Sequence, residues 1–407
     1  MTRTLLTGAD LVLPDRIAAN HTLVIEDGRI TSITSGLRPV SPGEHRIDLT
    51  GYLIVPGFVD VHVHGVLGRD VQDGDGAIAA IAQDLPRFGV TSFCPTTVAC
   101  SPHELAIVLN EVRALRAGPA PAAARVLPAH LESNFISPEY NGAQPVTCLR
   151  VPPAEWVQRP RQAVQGSEFT AADVLDVISL FRPDVSIMTV APELENGLAF
   201  VRALAQAGII VSIGHSAAGY ELSLEAIAAG ARQATHLFNR MTPLAHRDPG
   251  MVGAVLGADD VCAELICDGR HVHPAAMRVA MAAKSPARVM AITDGTAGSG
   301  LPRGSRAKLG GRTITVEDVA RLDDHTIAGS VLTMERAFAT IVGPAGAGLV
   351  AAAQMCATTP ARELGLQGHG VLSTGAVADI VVLDPTFSVK QTWIGGHLAF
   401  DALTAAK

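Results

Sequence analysis

The chain has 407 residues, of which 48% are hydrophobic and 17% are charged, and its formal net charge is −8 at pH 7. Because this length exceeds the usual size of one domain, a large domain with a smaller companion is expected. The acidic balance argues against nucleic acid or an anionic membrane as the main partner, since both require concentrated positive charge.

The N-terminal segment and the cysteines bear on the compartment. Residues 1–16 contain two aspartates and no long apolar core with a cleavage site, so no secretory signal is predicted. The six cysteines include no CxxC pair, which favours a reducing cytoplasm. The apolar stretch 341–357 is interrupted by a proline and three glycines, which is more typical of a barrel helix than of a membrane span. We expect a soluble cytoplasmic protein.

Both ends of the chain predict short strands. Residues 5–13, 21–33 and 46–55 carry alternating or β-branched apolar residues before Pro56-Gly57. Residues 378–384 and 392–396 have the same character. We predict that residues 1–57 and 371–407 form one small composite β-domain, with the architecture of a β-sandwich.

Between these ends, strand-like runs alternate with helix-like segments. This alternation predicts eight parallel strands closed into a (β/α)8 TIM-like barrel over residues 58–370, with its active site at the carboxyl ends of the strands. Residues 243–258 have a weak helical pattern and are predicted to form a long excursion. After a first strand that starts at residue 58, the predicted strands are 92–97, 125–132, 185–193, 209–215, 233–238, 263–268 and 289–294. The predicted helices are 77–88, 102–115, 171–181, 198–207, 220–229 and 274–283.

Candidate metal ligands stand at the carboxyl ends of these strands. His62 and His64 are two residues apart on the first strand, so their side chains point to the same face and can bind one ion. Closing the barrel brings them to four further candidates. Imidazole and carboxylate groups in this number suit a hydrolytic site with two divalent ions. No lysine lies at a strand end to form a carbamylated bridge, which leaves Glu132 as the bridging carboxylate. The predicted ligands are His62, His64, Glu132, His215, His236 and Asp294.

Each candidate also has a structural interpretation. A His-x-His pair can occur by chance on a strand surface, His215 and His236 can be core histidines, and Asp294 can cap the turn at Gly295. Their recurrence at strand ends favours ligands. A carboxylate on the last strand is well placed to take a proton from an attacking water, so Asp294 is also the predicted general acid/base. His271, after the seventh strand, is a weaker ligand and is expected to contact the substrate.

These motifs resemble the amidohydrolase superfamily, and within it the N-acetylglucosamine-6-phosphate deacetylase family. The resemblance runs over nearly the whole chain, with the motifs in the same order. The matching stretches are 56–65 (PGFVDVHVHG), 129–132 (AHLE), 191–193 (APE), 214–216 (GHS), 235–239 (THLFN), 247–250 (RDPG), 268–271 (DGRH), 293–294 (TD) and 327–334 (IAGSVLTM).

The resemblance implies hydrolysis of the acetamide of an N-acetylated amino-sugar phosphate in amino-sugar catabolism. It implies one or two divalent ions per subunit, with zinc first and iron, manganese or cobalt as alternatives, and His62 and His64 favour two. It also implies that Arg247 reaches the neighbouring site across a homodimer interface to bind the phosphate. The alternative for Arg247 is a surface ion pair with Asp248. The predicted substrate contacts are Ala143, Gln144, Asn239, Arg240, Arg247, His271, Ile327, Ala328 and Gly329.

Three departures from the family pattern bear on the substrate. Ser133-Asn134 replaces Gly-Pro, Gln144 replaces a histidine that polarises the substrate carbonyl, and Arg240 replaces alanine. Gln144 is predicted to act in catalysis as a neutral hydrogen-bond donor to that carbonyl. The departures leave open an amidohydrolase for another N-acyl or cyclic amide. A further alternative, from a different class, is a barrel that has lost catalysis and only binds a ligand or a partner.

Overall fold

The middle of the chain forms eight parallel strands arranged as a barrel. The computed structural model describes residues 3–158 and 168–404. Asp294 donates its backbone N–H to the carbonyl oxygen of His62 at 3.0 Å, which joins the last strand to the first. The predicted (β/α)8 barrel is confirmed. The barrel strands are, in order, Phe58–Val63, Val90–Thr97, Ala129–Leu131, Val185–Val190, Ile210–Ile213, Gln233–Ala234, Cys262–Ile266 and Val289–Ile292, with Arg125–Val126 also paired to the second.

Helices follow most of the strands and cover the outside of the barrel. Ser101 and Glu104 form a capping box at the start of one of them, as Thr170 and Asp173 do at another. Such reciprocal bonds satisfy the free N–H groups of the first turn and fix where the helix begins. The helices are Ala77–Asp84, Pro102–Ala117, Ala171–Leu180, Gly197–Gln206, Tyr220–Ala229, Gly250–Gly257, Pro274–Lys284, Met334–Val342, Leu349–Ala353 and Thr359–Glu363, with a π-helical turn at Gln354–Thr358.

The segment 243–258 contains a helix, Gly250–Gly257, that the sequence pattern did not indicate. Met251, Val252 and Val255 are buried, and a Cβ on Gly253 would approach Pro249 to 2.5 Å. A helix that is apolar on most sides has no polar face, so the periodicity used to recognise helices is absent. The weak helical pattern therefore understated this segment, and the predicted excursion does not extend over its second half.

The terminal strands form one mixed sheet of eight strands, which confirms the predicted β-structure from both ends of the chain. Leu53–Pro56 pairs antiparallel with Ile380–Leu383, so the N-terminal and C-terminal strands share the same sheet. Its own apolar cluster includes Leu6, Leu23 and Trp393. The domain boundaries at residues 57 and 371 stay predictions. The strands are Arg3–Val12, Ile17–Glu26, Arg29–Ser35, Glu44–Asp48, Leu53–Pro56, Ile380–Leu383, Val389–Ile394 and His397–Asp401.

A three-stranded antiparallel sheet follows the eighth barrel strand and was not predicted. It consists of Arg306–Leu309, Arg312–Val316 and Ala320–Leu322 and has a small apolar cluster of its own. Leu309, on the first of these strands, lines a cavity at the barrel mouth, which places the sheet beside that mouth. A short antiparallel pair, Gly65–Val66 with Arg69–Asp70, follows the first barrel strand.

All six cysteines carry free thiols. In the part of the chain that the structure describes, no helix combines the length and apolar character that crossing a membrane requires.

Candidate metal centre

Glu132 stands at the centre of the polar cluster over the barrel mouth. Its Oε1 lies 2.8 Å from His215 Nε2 and 2.9 Å from His236 Nε2, and the two Nε2 atoms are 3.1 Å apart. All three side chains are buried. These three residues, called here the Glu132 group, offer three donor atoms within 4.8 Å of one another, which is a spacing suited to one ion.

A second group of donors lies beside the first. Asp294 Oδ1 is 3.2 Å from His64 Nε2 and 3.5 Å from His62 Nε2, and the two Nε2 atoms are 3.2 Å apart. These three residues are called here the first-strand group. Glu132 also reaches this group, with Oε2 3.5 Å from His64 Nε2. The six predicted ligands therefore converge, and Glu132 lies between the two groups, as a bridging carboxylate would.

The hydrogen bonds of the imidazoles point their Nε2 atoms into the cluster. His64 Nδ1 lies 3.0 Å from the carbonyl oxygen of Thr96, and His215 Nδ1 lies 2.7 Å from that of Tyr140. A carbonyl can only accept, so Nδ1 carries a proton and, in the neutral ring, Nε2 has the lone pair that a metal needs. Facing Nε2 lone pairs and carboxylates need a shared cation between them. Nitrogen and oxygen donors in this arrangement fit a divalent transition metal.

The pKa values of His64, His236 and Glu132 show the same demand for positive charge, whereas His62 shifts in the other direction. Burial lowers the pKa of His62 to about 4. For His64, burial is outweighed by Asp294 and Glu132, which raise the pKa to about 10. For His236, burial is likewise outweighed, chiefly by Glu132, and the pKa rises to about 9. Burial acts to raise the pKa of Glu132, but the imidazoles around it hold that pKa well below its usual range.

Three of the six residues have a strained backbone. His215, His236 and Asp294 have φ values of 46°, 30° and 47°, in the left-handed region that residues with a side chain seldom occupy. Each such residue costs on the order of 1–3 kcal/mol, and such strain is concentrated at functional sites. The strand ends therefore turn sharply where their side chains meet, which favours ligands over core histidines and a turn cap.

A cavity of about 180 Å³ opens above the cluster. It brings together most of the predicted substrate contacts with four residues that sequence reasoning did not select. The predicted contacts that line it are Ala143, Gln144, Asn239, Arg240, His271, Ile327 and Gly329, and the additional ones are Gly142, Ile266, Arg270 and Leu309.

Two predicted substrate contacts lie away from this cavity. Ala328 is fully buried in the apolar cluster of the three-stranded sheet. Arg247 is exposed and does not line the cavity. No ion pair joins Arg247 to Asp248 within the described residues, so the alternative of a surface pair finds no support.

Gln144 is bonded at both ends of its amide. Its Oε1 accepts the backbone N–H of Ala99 at 2.7 Å, and its Nε2 donates to Glu132 Oε2. The backbone donor fixes which end of the amide faces the carboxylate. One Nε2 hydrogen is therefore committed to Glu132, and the other is left for a group in the cavity.

The Ser133-Asn134 departure concerns the backbone and not the cavity. Ser133 Oγ donates to the carbonyl oxygen of Thr189 at 2.6 Å. Asn134 Nδ2 donates to the carbonyl oxygens of Cys100 and Cys148 at 2.7 and 2.8 Å. These bonds fasten the loop that carries Gln144, so this departure gives no reason to expect a different substrate.

His271 and Asn239 are held in place on the cavity wall. His271 Nδ1 lies 2.6 Å from Asp268 Oδ2, so this nitrogen donates and Nε2 is turned away from Asp268. His271 Nε2 is buried without a hydrogen-bond partner in the described structure. Asn239 Nδ2 donates to the carbonyl oxygen of His236 at 3.3 Å. His271 thus offers an unused nitrogen to a ligand and lies outside the metal cluster.

Sequence reasoning missed two buried polar residues beneath the cluster. Glu264 lies on the seventh strand and contacts His62, and His130 lies on the third strand. Both are fully buried. The signal was present, because each interrupts an otherwise apolar strand, where an ionisable residue needs a partner.

Comparisons with known proteins identify the family of this chain. The Amidohydrolase family model matches residues 53–399. An N-acetylglucosamine-6-phosphate deacetylase of Danio rerio is 37% identical over 87% of this chain and 86% of the relative. An N-acetylgalactosamine-6-phosphate deacetylase of Escherichia coli O157:H7 is 34% identical over 93% of this chain and 95% of the relative.

A solved structure supports the same relationship. A mutant of the N-acetyl-D-glucosamine-6-phosphate deacetylase of Mycobacterium smegmatis, in complex with N-acetyl-D-glucosamine-6-phosphate, has a TM-score of 0.86 and 30% identity, and covers 98% of this chain and 100% of its own. The family model and both relatives cover most of the chain. The chain therefore belongs to the amidohydrolase family and, within it, to the N-acetylglucosamine-6-phosphate deacetylase family.

Proposed function

We propose that this protein hydrolyses the acetamide of an N-acetylhexosamine 6-phosphate, N-acetylglucosamine-6-phosphate first, to acetate and the amino-sugar phosphate. The observation that carries the proposal is the convergence of six candidate ligands, with Glu132 between the two groups, in a chain that resembles such deacetylases over most of its length. A reaction of this kind belongs to amino-sugar catabolism, and we propose that it takes place in the cytoplasm.

A divalent metal would be bound by the Glu132 group, and a second one by the first-strand group. Zinc is the first candidate, with iron, manganese and cobalt as alternatives, since nitrogen and oxygen donors accept all four. When bound, such an ion polarises the amide carbonyl and makes water a better nucleophile at neutral pH. The proposal therefore includes one or two bound ions per subunit.

Asp294 is the proposed general acid/base. It lies at the end of the last strand, faces the cavity, and has a pKa held below its usual value because burial is outweighed by His62 and His64. As a carboxylate it can take a proton from the attacking water and then give it to the departing amine. The free Nε2 hydrogen of Gln144 would donate to the carbonyl oxygen, where charge develops during the attack.

The sugar phosphate would lie against His271, Asn239 and the two arginines of the cavity wall. A Cβ built on Gly142 would lie 3.0 Å from Arg240 Nε and 3.4 Å from His215 Cε1, so a side chain at position 142 would crowd both Arg240 and a proposed ligand. Arg240 and Arg270 bring guanidinium groups, which suit a phosphate because they donate paired, charge-assisted hydrogen bonds.

Arg247 has a different proposed place. Because it is exposed and outside the cavity of its own chain, it is free to reach the site of a partner in a homodimer. Ala328 is proposed to support the cavity wall through its neighbours Ile327 and Gly329, which do line the cavity.

The experiment is a measurement of acetate release from a panel of acetylated substrates. The panel contains the 6-phosphates of the N-acetylated gluco-, galacto- and mannosamines and each unphosphorylated sugar, with zinc, iron, manganese or cobalt supplied in turn. We expect kcat/KM to be at least about 10²-fold higher for a phosphorylated substrate, because charged hydrogen bonds are worth about 1.5–3 kcal/mol each.

Two outcomes would overturn the proposal. Equal turnover of phosphorylated and unphosphorylated N-acyl compounds would favour an amidohydrolase for another N-acyl or cyclic amide. Tight binding of a sugar phosphate with every metal but without acetate release would favour a barrel that only binds its ligand.

A further inference from the structure

Glu264, on the seventh barrel strand, lies directly behind the proposed metal ligands. Its side chain is fully buried within the apolar strand Cys262–Ile266. Glu264 Oε2 accepts a hydrogen bond from His62 Nδ1 at 3.0 Å and a longer one from the backbone N–H of His236 at 3.4 Å. The first of these bonds acts on the ring of a proposed ligand, and the second acts only on a backbone.

His62, His130 and Glu264 offer donor atoms within 4.8 Å of one another and could be thought to bind an ion themselves. The hydrogen bonds argue against this. His130 Nδ1 lies 3.1 Å from the carbonyl oxygen of Val61, so it carries a proton and has no lone pair for a metal. His130 Nε2 lies 2.9 Å from Thr189 Oγ1. The three residues therefore form a support beneath the cluster and not another metal site.

We infer that Glu264 is a positioning residue that sets the metal affinity of the first-strand group. By accepting from His62 Nδ1 it fixes the tautomer of the ring, aims Nε2 at His64 and Asp294, and makes that nitrogen more basic. In contrast, His64 and His215 donate their Nδ1–H groups to neutral backbone carbonyls. His62 is thus the proposed ligand that a carboxylate supports from behind.

The inference rests on the proposed metal site and deepens it. It predicts that the two groups respond differently when Glu264 loses its charge. The first-strand group loses the carboxylate behind a ligand ring, whereas the Glu132 group keeps every side-chain contact described above. A lost partner of this kind commonly lowers metal affinity about 10- to 100-fold.

The test is a metal titration of the Glu264→Gln variant, which keeps the size of the side chain and one oxygen acceptor. Full-length protein stripped of metal is titrated with Zn²⁺ against a chromophoric chelator. We expect two equivalents for the original chain. In the variant, the affinity for one equivalent is unchanged and that for the other falls about 10- to 100-fold. With Co²⁺ as the probe, only the absorption bands of the weaker equivalent should change.

Asp60→Asn is the matched control. Asp60 is also a fully buried carboxylate beside His62, but it accepts from the backbone N–H of His62 at 3.2 Å and from Thr293 Oγ1 at 2.6 Å, and does not contact the ring. We expect this variant to keep both metal affinities. Glu264→Asp, which keeps the charge but is shorter, should give an intermediate loss and serves if Glu264→Gln does not fold.

Several results would overturn the inference. They are a single equivalent in the original chain, equal losses at both equivalents in Glu264→Gln, or the same loss in Asp60→Asn. None of these readouts uses a substrate. A protein that binds two ions as expected but releases no acetate would therefore refute the proposed function and leave the role of Glu264 standing.

Discussion

Glu132 and Asp379 are both buried carboxylates, but the chain surrounds them with different kinds of positive charge. Asp379 lies at the junction of barrel and terminal sheet, where its Oδ2 is 2.6 Å from Arg125 Nη1 and 2.7 Å from His369 Nδ1. Its Oδ1 accepts the backbone N–H of Gly395 at 2.8 Å. Around Glu132 the contacting groups are imidazoles and one neutral amide.

The difference separates a structural ion pair from a binding site. Arginine is always protonated, so Asp379 has a permanent partner that fixes the junction. Imidazoles can lose their protons and then offer lone pairs, so the protons beside Glu132 can be exchanged for a metal ion. A buried carboxylate that pairs with arginine is neutralised by the chain itself. A buried carboxylate whose ionisable partners are all histidines is suited to bind a metal ion together with them.

The largest expected effect is the loss of activity when Asp294 is replaced. Like Glu132, Asp294 is a buried carboxylate whose contacts are histidines. Asp294→Asn keeps the shape of the side chain but cannot accept the proton of the attacking water. We expect kcat to fall about 10²- to 10⁴-fold. The Glu132 group keeps all its ligands, so at least one metal equivalent should remain when the variant is analysed for metal content. Full activity in this variant would remove Asp294 from the mechanism.

Metal removal tests the exchangeable cation directly. A ligand that binds only the folded protein stabilises it by about 4 kcal/mol when its concentration is 1,000 times Kd. We expect a chelator to lower Tm and added Zn²⁺ to restore it, in a differential scanning measurement. A His215→Ala, His236→Ala double variant keeps the first-strand group but loses two ligands of the Glu132 group, so the same chelator should lower its Tm by less than that of the original chain. An unchanged Tm in the original chain would contradict the metal site.

Asp379→Asn tests the permanent pair. Removing one partner of a buried pair leaves an uncompensated charge and costs about 3–5 kcal/mol. Arg125 is 28% exposed in its side chain, so we expect a loss near the lower end, about 3 kcal/mol, in the free energy of unfolding measured with urea. Arg16→Gln, which removes an exposed arginine next to Asp15, is the control and should have little effect.

The pH dependence sharpens this prediction. Burial acts to raise the pKa of Asp379, but His369 and Arg125 outweigh it and lower that pKa below its ordinary value. The stability it provides is therefore present above the unfolded pKa and is lost as the pH falls through the lower, folded pKa. The difference between the original chain and Asp379→Asn should shrink on acidification below about pH 4. A constant difference would show that the charge is not responsible.

The sequence predicted the elements whose patterns are local and the ligands that end strands. His62 and His64 were recognisable because a strand has a period of two, and the barrel followed from alternating strands and helices. Helix Gly250–Gly257 was missed because it is buried on most sides and has no polar face. Glu264 was missed because it lies within a strand, 202 residues from His62, and only the closed barrel brings them together.

Arg240 differs from both carboxylates, because it is a positive charge without a partner. It lies on the wall of the cavity, and no carboxylate pairs with it within the described structure. If a phosphate is its partner, Arg240→Met should raise KM for the phosphorylated substrate about 10- to 100-fold, since charged hydrogen bonds are worth about 1.5–3 kcal/mol. The unphosphorylated sugar should be unaffected. Arg306→Met is the control, because Arg306 is exposed and already pairs with Asp323 at 2.9 Å. An equal rise in KM for both sugars would mean that Arg240 supports the loop and does not bind the phosphate. Arg270 and Arg247 of the partner subunit would then bind the phosphate.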